Sequence, residues 1–508
     1  MAEKFVPFER VVVVGLDGLS WETVESLTTD NSMASLPALM RKSNCGTLKA
    51  TPHQNSTAAW TSILCGSSPG EHGILGPLRF DSAQAQLRGN DSHSAPLETV
   101  LERLSKYGVS TGSIFLPRTY PPLELFEGYT ISGSDTPSVQ SQFTYPADLR
   151  EDVLSLSPEL KMNLEDAWSN ESGEPVLAQN IERAIASVDL LERLAIHQQR
   201  DAPARLQFVS LQAVSVVLRR LCREYLNSKG GGGDVKRGEL FRKFFRRCDQ
   251  MLNRVLGIHS SSSASQRFRP ASQPGPRTLR IIVSSFGYGP QRGRISVNAF
   301  LQKWGLFKSI GALMRVSRRL FLMTQDASQA RKPELEIEWS QTQAFQPFYG
   351  PCGYVYLNLR GREKSGIVPS SRYDEVRDSV MARFSAEKIP GSDELLFQSV
   401  EKGEDIYAQK IELNLPDIVL VPAPGFELVS ALNAVELSSG CGGVPQAGGI
   451  YLIEGPDVMV SPKHGGIAEL ADLAPTILAA LGQPIPSSMT GRPMVEIFMP
   501  SPKVLRGN

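Results

Sequence analysis

Residues 11–21 read Val11-Val12-Val13-Val14-Gly15-Leu16-Asp17-Gly18-Leu19-Ser20-Trp21. A run of β-branched residues closed by glycine predicts a strand buried on both faces, as at the centre of a parallel sheet. Asp17 then falls at the carboxyl end of that strand, where open α/β folds bind ligands. Its carboxylate is a hard oxygen donor suited to zinc, magnesium or manganese. An Asp-Gly turn that only ends the strand is the alternative. Further along, Asn55-Ser56-Thr57 opens the apolar run Ala58–Leu64, which reads as a helix. Ser56 there is either an N-cap or a nucleophile, because helix N-terminal amides favour an incoming phosphate. Thr57 could replace it in either role. Far downstream a second strand-like run, Arg280-Ile281-Ile282-Val283, ends in Ser284-Ser285-Phe286-Gly287.

Outward from these stretches, strand and helix alternate. A helix is predicted over 33–42, another over 97–107, and a strand over 111–115. The alternation implies a parallel sheet covered by helices. From about 145 to 257 the pattern turns helical, with Ile181, Ile185, Val188, Leu191 and Leu194 at helical spacing and 240–256 repeating the theme. Gly230–Gly233 and the Ser- and Pro-rich 260–276 read as linker. Strand and helix return at 354–359 and 373–384, then strands at 418–421 and 450–454 and a helix over 472–481. The expected division is a core of residues 1–144, 277–330 and 405–508, a helical insertion over 145–259, a linker over 260–276 and a cap over 336–400. No internal repeat is present.

Bulk composition narrows the function. The 508 residues carry 53 Lys plus Arg against 53 Asp plus Glu, so no charge excess points to nucleic acid. Local basic clusters (Arg219, Arg220 and Arg223; residues 242–247; Arg315, Arg318 and Arg319) read as solvated helix faces, with contact of 303–323 with anionic lipid as the other reading. Six scattered cysteines without a CxxC pair imply reduced thiols and a cytoplasmic protein, so the sequons at Asn55, Asn90 and Asn170 are accidental. No apolar run reaches the roughly 20 residues of a membrane helix. Of the 6 histidines, only His53 and His464 lie near plausible site loops.

The strings VVVVGLDGLSW and LPALMRKSNCGTLKATPHQNSTAAWTSILCGSSPGEHGI resemble the type I phosphodiesterase/nucleotide pyrophosphatase branch of the alkaline phosphatase superfamily, in particular its bacterial predicted phosphohydrolase/phosphomutase group. The likeness extends through PLETVLERLSKYGVSTGSIFLPRTYPP, SGSDTP, FTYPADLRE, GYVYLNLRGREKSGIVPSSRYDEVRDSV and DLAPTILAALGQPIPSSMTGRPM. The resemblance implies an alkaline phosphatase-like doubly wound α/β core with a helical insertion and a smaller α/β cap. It makes Asp17 a metal ligand and Ser56 the nucleophile, counted back from Gly66, with Cys65 replacing the family's Thr. Asn55 and Thr57 become candidate anion-binding positions.

At the family's remaining ligand positions this chain departs. Ser285 and Phe286 stand for the Asp and His of an SDHG motif. Gln212 and Val216 stand for an Asp and His four residues apart, and Pro445 for a final His. Phe, Val and Pro side chains cannot donate to a metal, and activation of a serine by two cations needs three or four protein ligands at each. The expectation is therefore a metal-depleted pseudoenzyme that binds a phosphate-bearing small molecule or a protein partner. It would have no resident cofactor and no nucleic-acid role. The alternatives are an active phosphodiesterase rebuilt around Ser56 with His53, or with a metal held by His464, Glu469 and Asp472, and a scaffold for an active paralogue. Zinc or another divalent metal enters only with a rebuilt site. Asp472 is otherwise expected to cap the closing helix.

Overall fold

The computed structural model describes residues 4–50, 52, 54–157, 160, 162–164, 168, 173–229, 235–258, 276–310, 337–407, 415–430, 433–437, 442–461 and 465–507. Gly230–Gly233, nearly all of the 260–276 linker, Arg315, Arg318, Arg319, His53 and His464 lie outside them.

The chain forms two compact units: residues 1–68, 91–290 and 441–508 make the first, and residues 69–90 and 291–440 the second. In the first unit the strands are β1 (Arg10–Gly15), β2 (Asn44–Lys49), β3 (Thr111–Leu116), β4 (Gly128–Ser132), β5 (Thr144–Tyr145), β6 (Leu206–Ser210), β7 (Thr278–Ser284), β8 (Gly287–Pro290), β9 (Gly443–Gln446), β10 (Gly449–Glu454) and β11 (Gly466–Glu469). Nine of them form one sheet in the order β11-β2-β10-β7-β1-β6-β3-β4-β5. β1 lies parallel between β6 and β7, with Val13 opposite Phe208 on one side and Ile281 on the other. Val11 to Val14 are all buried, as their β-branched run predicts for a strand covered on both faces. The sheet is mixed, not wholly parallel: β10 runs antiparallel to both β7 and β2.

Helices cover this sheet. Besides the short helices Leu36–Met40 and Leu149–Leu156, they include α1 (Trp21–Thr29), α2 (Ser56–Cys65), α3 (Val100–Lys106), α4 (Glu174–Asp201), α5 (Ala213–Lys229), α6 (Val235–Val255) and α7 (Leu473–Ala480). Each of α1, α2 and α3 begins where side-chain chemistry satisfies an orphan N–H. Ser20 accepts from Thr23, Asn55 from Ala58, and Thr99 with Glu102 makes a reciprocal capping box. On α6, Phe241, Phe244, Phe245, Cys248, Met251 and Leu252 are buried on one face, with Tyr225 stacked on Phe241 at 4.1 Å. Its basic residues Arg242, Arg246 and Arg247 pair with Asp30, Glu239 and Asp189, which accounts for that cluster as a solvated, ion-paired face.

Within the stretch expected to be a helical insertion, Leu206–Ser210 forms β6, which runs between β1 and β3 at the heart of the sheet. Helical periodicity in the flanking residues hides a strand this short. The second unit is also wider than the expected 336–400 cap. It holds a four-stranded antiparallel sheet of 344–345, 353–357, 418–422 and 397–402, the helix Tyr373–Ala386, and the hairpin Leu78–Asp81 with Gln86–Gly89. Its own buried core includes Phe80, Phe345, Tyr354, Tyr356 and Phe384. Among the described residues no helix is long and apolar enough to cross a membrane.

Candidate functional site

Asp17 follows β1 by two residues and is 4% exposed. Its carboxylate is held by three donors. The Trp60 indole donates to Oδ2 at 2.8 Å, and the backbone N–H and hydroxyl of Ser285 donate to Oδ1 at 3.0 and 2.6 Å. A carboxylate offers about four lone-pair sites, so these bonds use most of its accepting capacity. The glycine before it permits the arrangement: a Cβ on Gly15 would lie 2.2 Å from Trp60 Cζ2. Gly18, at φ +108°, turns the chain, and its N–H is received by Ser284 Oγ at 3.0 Å.

Ser56 is the first residue of α2, not its cap. Asn55 occupies the N-cap position in extended backbone, and its Oδ1 accepts from Ala58 N at 2.9 Å. Asn55, read as an anion-binding position, thus already serves the helix backbone. Ser56 and Thr57 are half-buried. Trp60 lies one turn beyond Ser56 on the same face of α2, so the helix carries Ser56 and the Asp17-binding indole together. Cys65, at the family's Thr position, is buried, and burial pushes its thiol up to about 12. A thiol so raised is no nucleophile at neutral pH.

The other expected ligand positions meet the same sheet edge. Phe286 is 3% exposed and sits 5.8 Å from the Tyr288 ring. A Cβ on Gly18 would meet Leu218 and Tyr288 carbons at 2.8 Å, so apolar groups crowd this corner. Val216 is buried in the apolar core. Pro445 lies on β9, opposite Tyr288 of β8. Gln54 reaches the following turn, where its amide donates to Pro445 O and accepts from Ala447 N at 3.3 Å. Gln212, half-buried, follows β6 and donates to Phe115 O at 3.4 Å.

Residues 11–255 match the family of type I phosphodiesterase / nucleotide pyrophosphatase, the stretch that holds Asp17, Ser56, Gln212 and Val216. Over that stretch the chain is similar to this family. A phosphonoacetate hydrolase from Sinorhizobium meliloti 1021, solved with phosphonoacetate, superposes with TM-score 0.55 at 13% identity, covering 94% of this chain and 96% of that one. Wild-type alkaline phosphatase PafA does so with TM-score 0.52 at 13% identity, covering 98% and 100%. These two likenesses concern the fold. No curated protein matches the chain.

The family resemblance implies a pair of divalent metals, and the donors present in this chain do not fit one. Asp17 is engaged by three hydrogen bonds, Phe286, Val216 and Pro445 have no donor, and Ser285 gives its hydroxyl to Asp17. Among the described residues no three His, Cys, Asp or Glu side chains gather as a ligand set. In the cluster considered for a rebuilt site, Asp472 accepts from the N–H groups of Glu469 and Arg492 at 2.9 and 2.6 Å. Asp472 does precede α7, yet it makes no side-chain cap to that helix, because those two N–H groups take its oxygens. Sequence reasoning missed Trp60 and Gln54. Trp60 was within reach, since it stands four residues after Ser56 on a predicted helix and so shares its face.

Proposed function

We propose that this chain is a metal-depleted, catalytically inert relative of the type I phosphodiesterases whose strand-end edge binds an anionic ligand or a partner. The observation that supports this most is the Ser285–Asp17 bond of 2.6 Å. A neutral hydroxyl stands where the family resemblance expects a second carboxylate, and it satisfies the first carboxylate directly. In two-metal catalysis the cations activate the nucleophile and offset charge on the phosphoryl oxygens. Without them Ser56 keeps the basicity of an ordinary alcohol and attacks poorly. The buried thiols of Cys45, Cys65, Cys222 and Cys248 support the reading of a reducing, cytoplasmic setting.

The test is elemental analysis of the purified protein together with an aryl phosphodiester assay in added zinc or manganese. Substoichiometric metal and a rate indistinguishable from that of Ser56→Ala are expected. Two equivalents of metal with hydrolysis that Ser56→Ala abolishes would overturn the proposal.

A further inference from the structure

The edge of the large sheet opposite the Asp17 corner carries the strand starts. β1, β2 and β7 begin there, and β10, antiparallel to β2 and β7, ends there. Just past β10, residues 457–460 run as a ladder beside Phe498 and Met499. Met459 N donates to Ile497 O at 2.8 Å, and Met499 N donates to Asp457 O at 2.8 Å. Two bonds tie this ladder to the start of β2: Asn44 Nδ2 donates to Met459 O at 2.9 Å, and Ser461 N to Ser43 O at 3.3 Å. On the other flank Arg277 pairs with Asp457 and donates to Val6 O at 3.2 Å. The residues ahead of β1 therefore lie alongside.

Apolar side chains stand out from this surface. Met499 is 71% exposed, Val6 and Val460 are each 58% exposed, and Met459 is 42% exposed. The aromatic rings beneath them are turned inward. Phe5 packs edge-on to Phe8 and Phe498 at 6.1 and 5.8 Å, and Phe8 and Phe498 are buried. An apolar patch held out in water by a well-bonded backbone marks an interaction surface.

Its charge identifies the partner. Arg41 and Lys42 precede Ser43, Lys4 precedes Val6 by two residues, and all three are exposed without an ion pair among the described residues. Of the carboxylates around them, Glu454 and Asp457 are paired with Arg280 and Arg277, which leaves exposed Glu9 against the three cations. Aliphatic and thioether groups ringed by unpaired Lys and Arg suit an anionic lipid surface: the apolar groups enter the headgroup layer and the cations stay on it. A protein partner would call for outward aromatic anchors, and here the rings face the core.

We propose that this amino-terminal edge docks on an anionic membrane surface, with Val6, Met459, Val460 and Met499 inserted and Lys4, Arg41 and Lys42 on the headgroups. The Asp17 edge then faces away from the lipid, whether or not Ser56 is inert.

The test is co-sedimentation of the full chain with vesicles of phosphatidylcholine and phosphatidylglycerol in equal parts, against phosphatidylcholine alone. Binding to the mixed vesicles is expected, about 10-fold or more tighter than to the neutral ones and weakened by added salt. Arg41→Glu with Lys42→Glu, and separately Val460→Ser with Met499→Ser, should each weaken it about 10-fold. All four positions are exposed, so the melting temperature should hold. The control is Val235→Ser, 76% exposed at the far end of α6, whose other end accepts from Arg280 at Leu256 O. About 30 Å of helix separates the two ends, and this variant should bind like the native chain.

No binding to the mixed vesicles, or binding that neither double variant weakens, would overturn the proposal. Equal binding to neutral vesicles would overturn its electrostatic part. A dimer that Val460→Ser with Met499→Ser dissociates, in a chain that ignores vesicles, would assign the face to a second copy instead.

Discussion

Along one sheet edge, two neighbouring corners fill the expected ligand positions differently. Beyond β1 and β7, Asp17 is sealed by Trp60 and Ser285, and Phe286 and Tyr288 crowd the space around Gly18. Beyond β6 and β3 a cavity of about 790 Å³ remains, lined by Phe115, Ser210 and Gln212 among others. The first corner replaced charge with hydrogen bonds and packing. The second holds the neutral amide of Gln212 beside open space. The edge is therefore not closed uniformly; it is sealed where an aromatic side chain and a short donor reach the Asp17 carboxylate.

The largest test of the sealed corner is Trp60→Ala. It removes a fully buried ring that packs on Gly15 and edge-on to Phe208, and should cost about 3–5 kcal/mol in urea unfolding. A loss below about 1 kcal/mol would mean that the corner is not packed as described.

On the open side the sensitive group is Asp135, next to the cavity-lining Ser134. Burial raises its carboxyl to about 6, against the opposing pull of the Tyr120 N–H and Arg118. One carboxylate oxygen is buried without a partner. The folded chain thus holds this proton more tightly than an unfolded one, whose Asp titrates near ~3.9. The associated stability is complete below about pH 4 and is lost as pH rises through about 6. Asp135→Asn removes that loss. Measured by chemical denaturation, it should match the native chain at pH 4 and exceed it by about 2–3 kcal/mol at pH 7.5. A constant difference across that range would show that Asp135 does not titrate as argued.

Asp17→Asn probes the sealed corner electrostatically. An amide offers one oxygen and an NH₂ where the carboxylate accepted from three donors, so a loss of about 1–3 kcal/mol is expected, unchanged by chelator. Zinc-dependent stability in the native chain, lost in this variant, would break the comparison by making Asp17 a ligand after all. The smallest contrast lies on α2. Asn55→Ala should cost about 1 kcal/mol as loss of a cap, whereas Ser56→Ala should stay within about 0.5 kcal/mol. The reverse order would return the capping role to Ser56.

Much of the fold was legible in local pattern. The β-branched Val11–Val14 and Ile281–Val283 became adjacent strands, and Asp17 and Ser285 fell at their ends as the strand pattern requires. What stayed hidden depends on contacts between distant segments. Nothing local shows that Ser285 will donate to Asp17, that Tyr288 will pair with Pro445, or that β6 will thread between β1 and β3. The cap was misplaced by one residue because Asn55 and Ser56 are both good caps, and only the turn of the backbone chooses between them. The cavity was invisible for a related reason. Its walls come from residues 115 to 213 on four separate elements, each ordinary in isolation.

The pairing of β8 with β9 has a further consequence for how the chain is threaded. Pro290 and Gly443 are cross-strand partners, so everything between them departs and returns through a single doorway one strand spacing wide. Loop-closure entropy grows only with the logarithm of length, so a long excursion through such a doorway burdens the parent unit far less than in proportion to its length. The β8–β9 doorway is thus a natural point for splicing: a tight turn joining its two posts would reconnect the backbone without asking either strand to move.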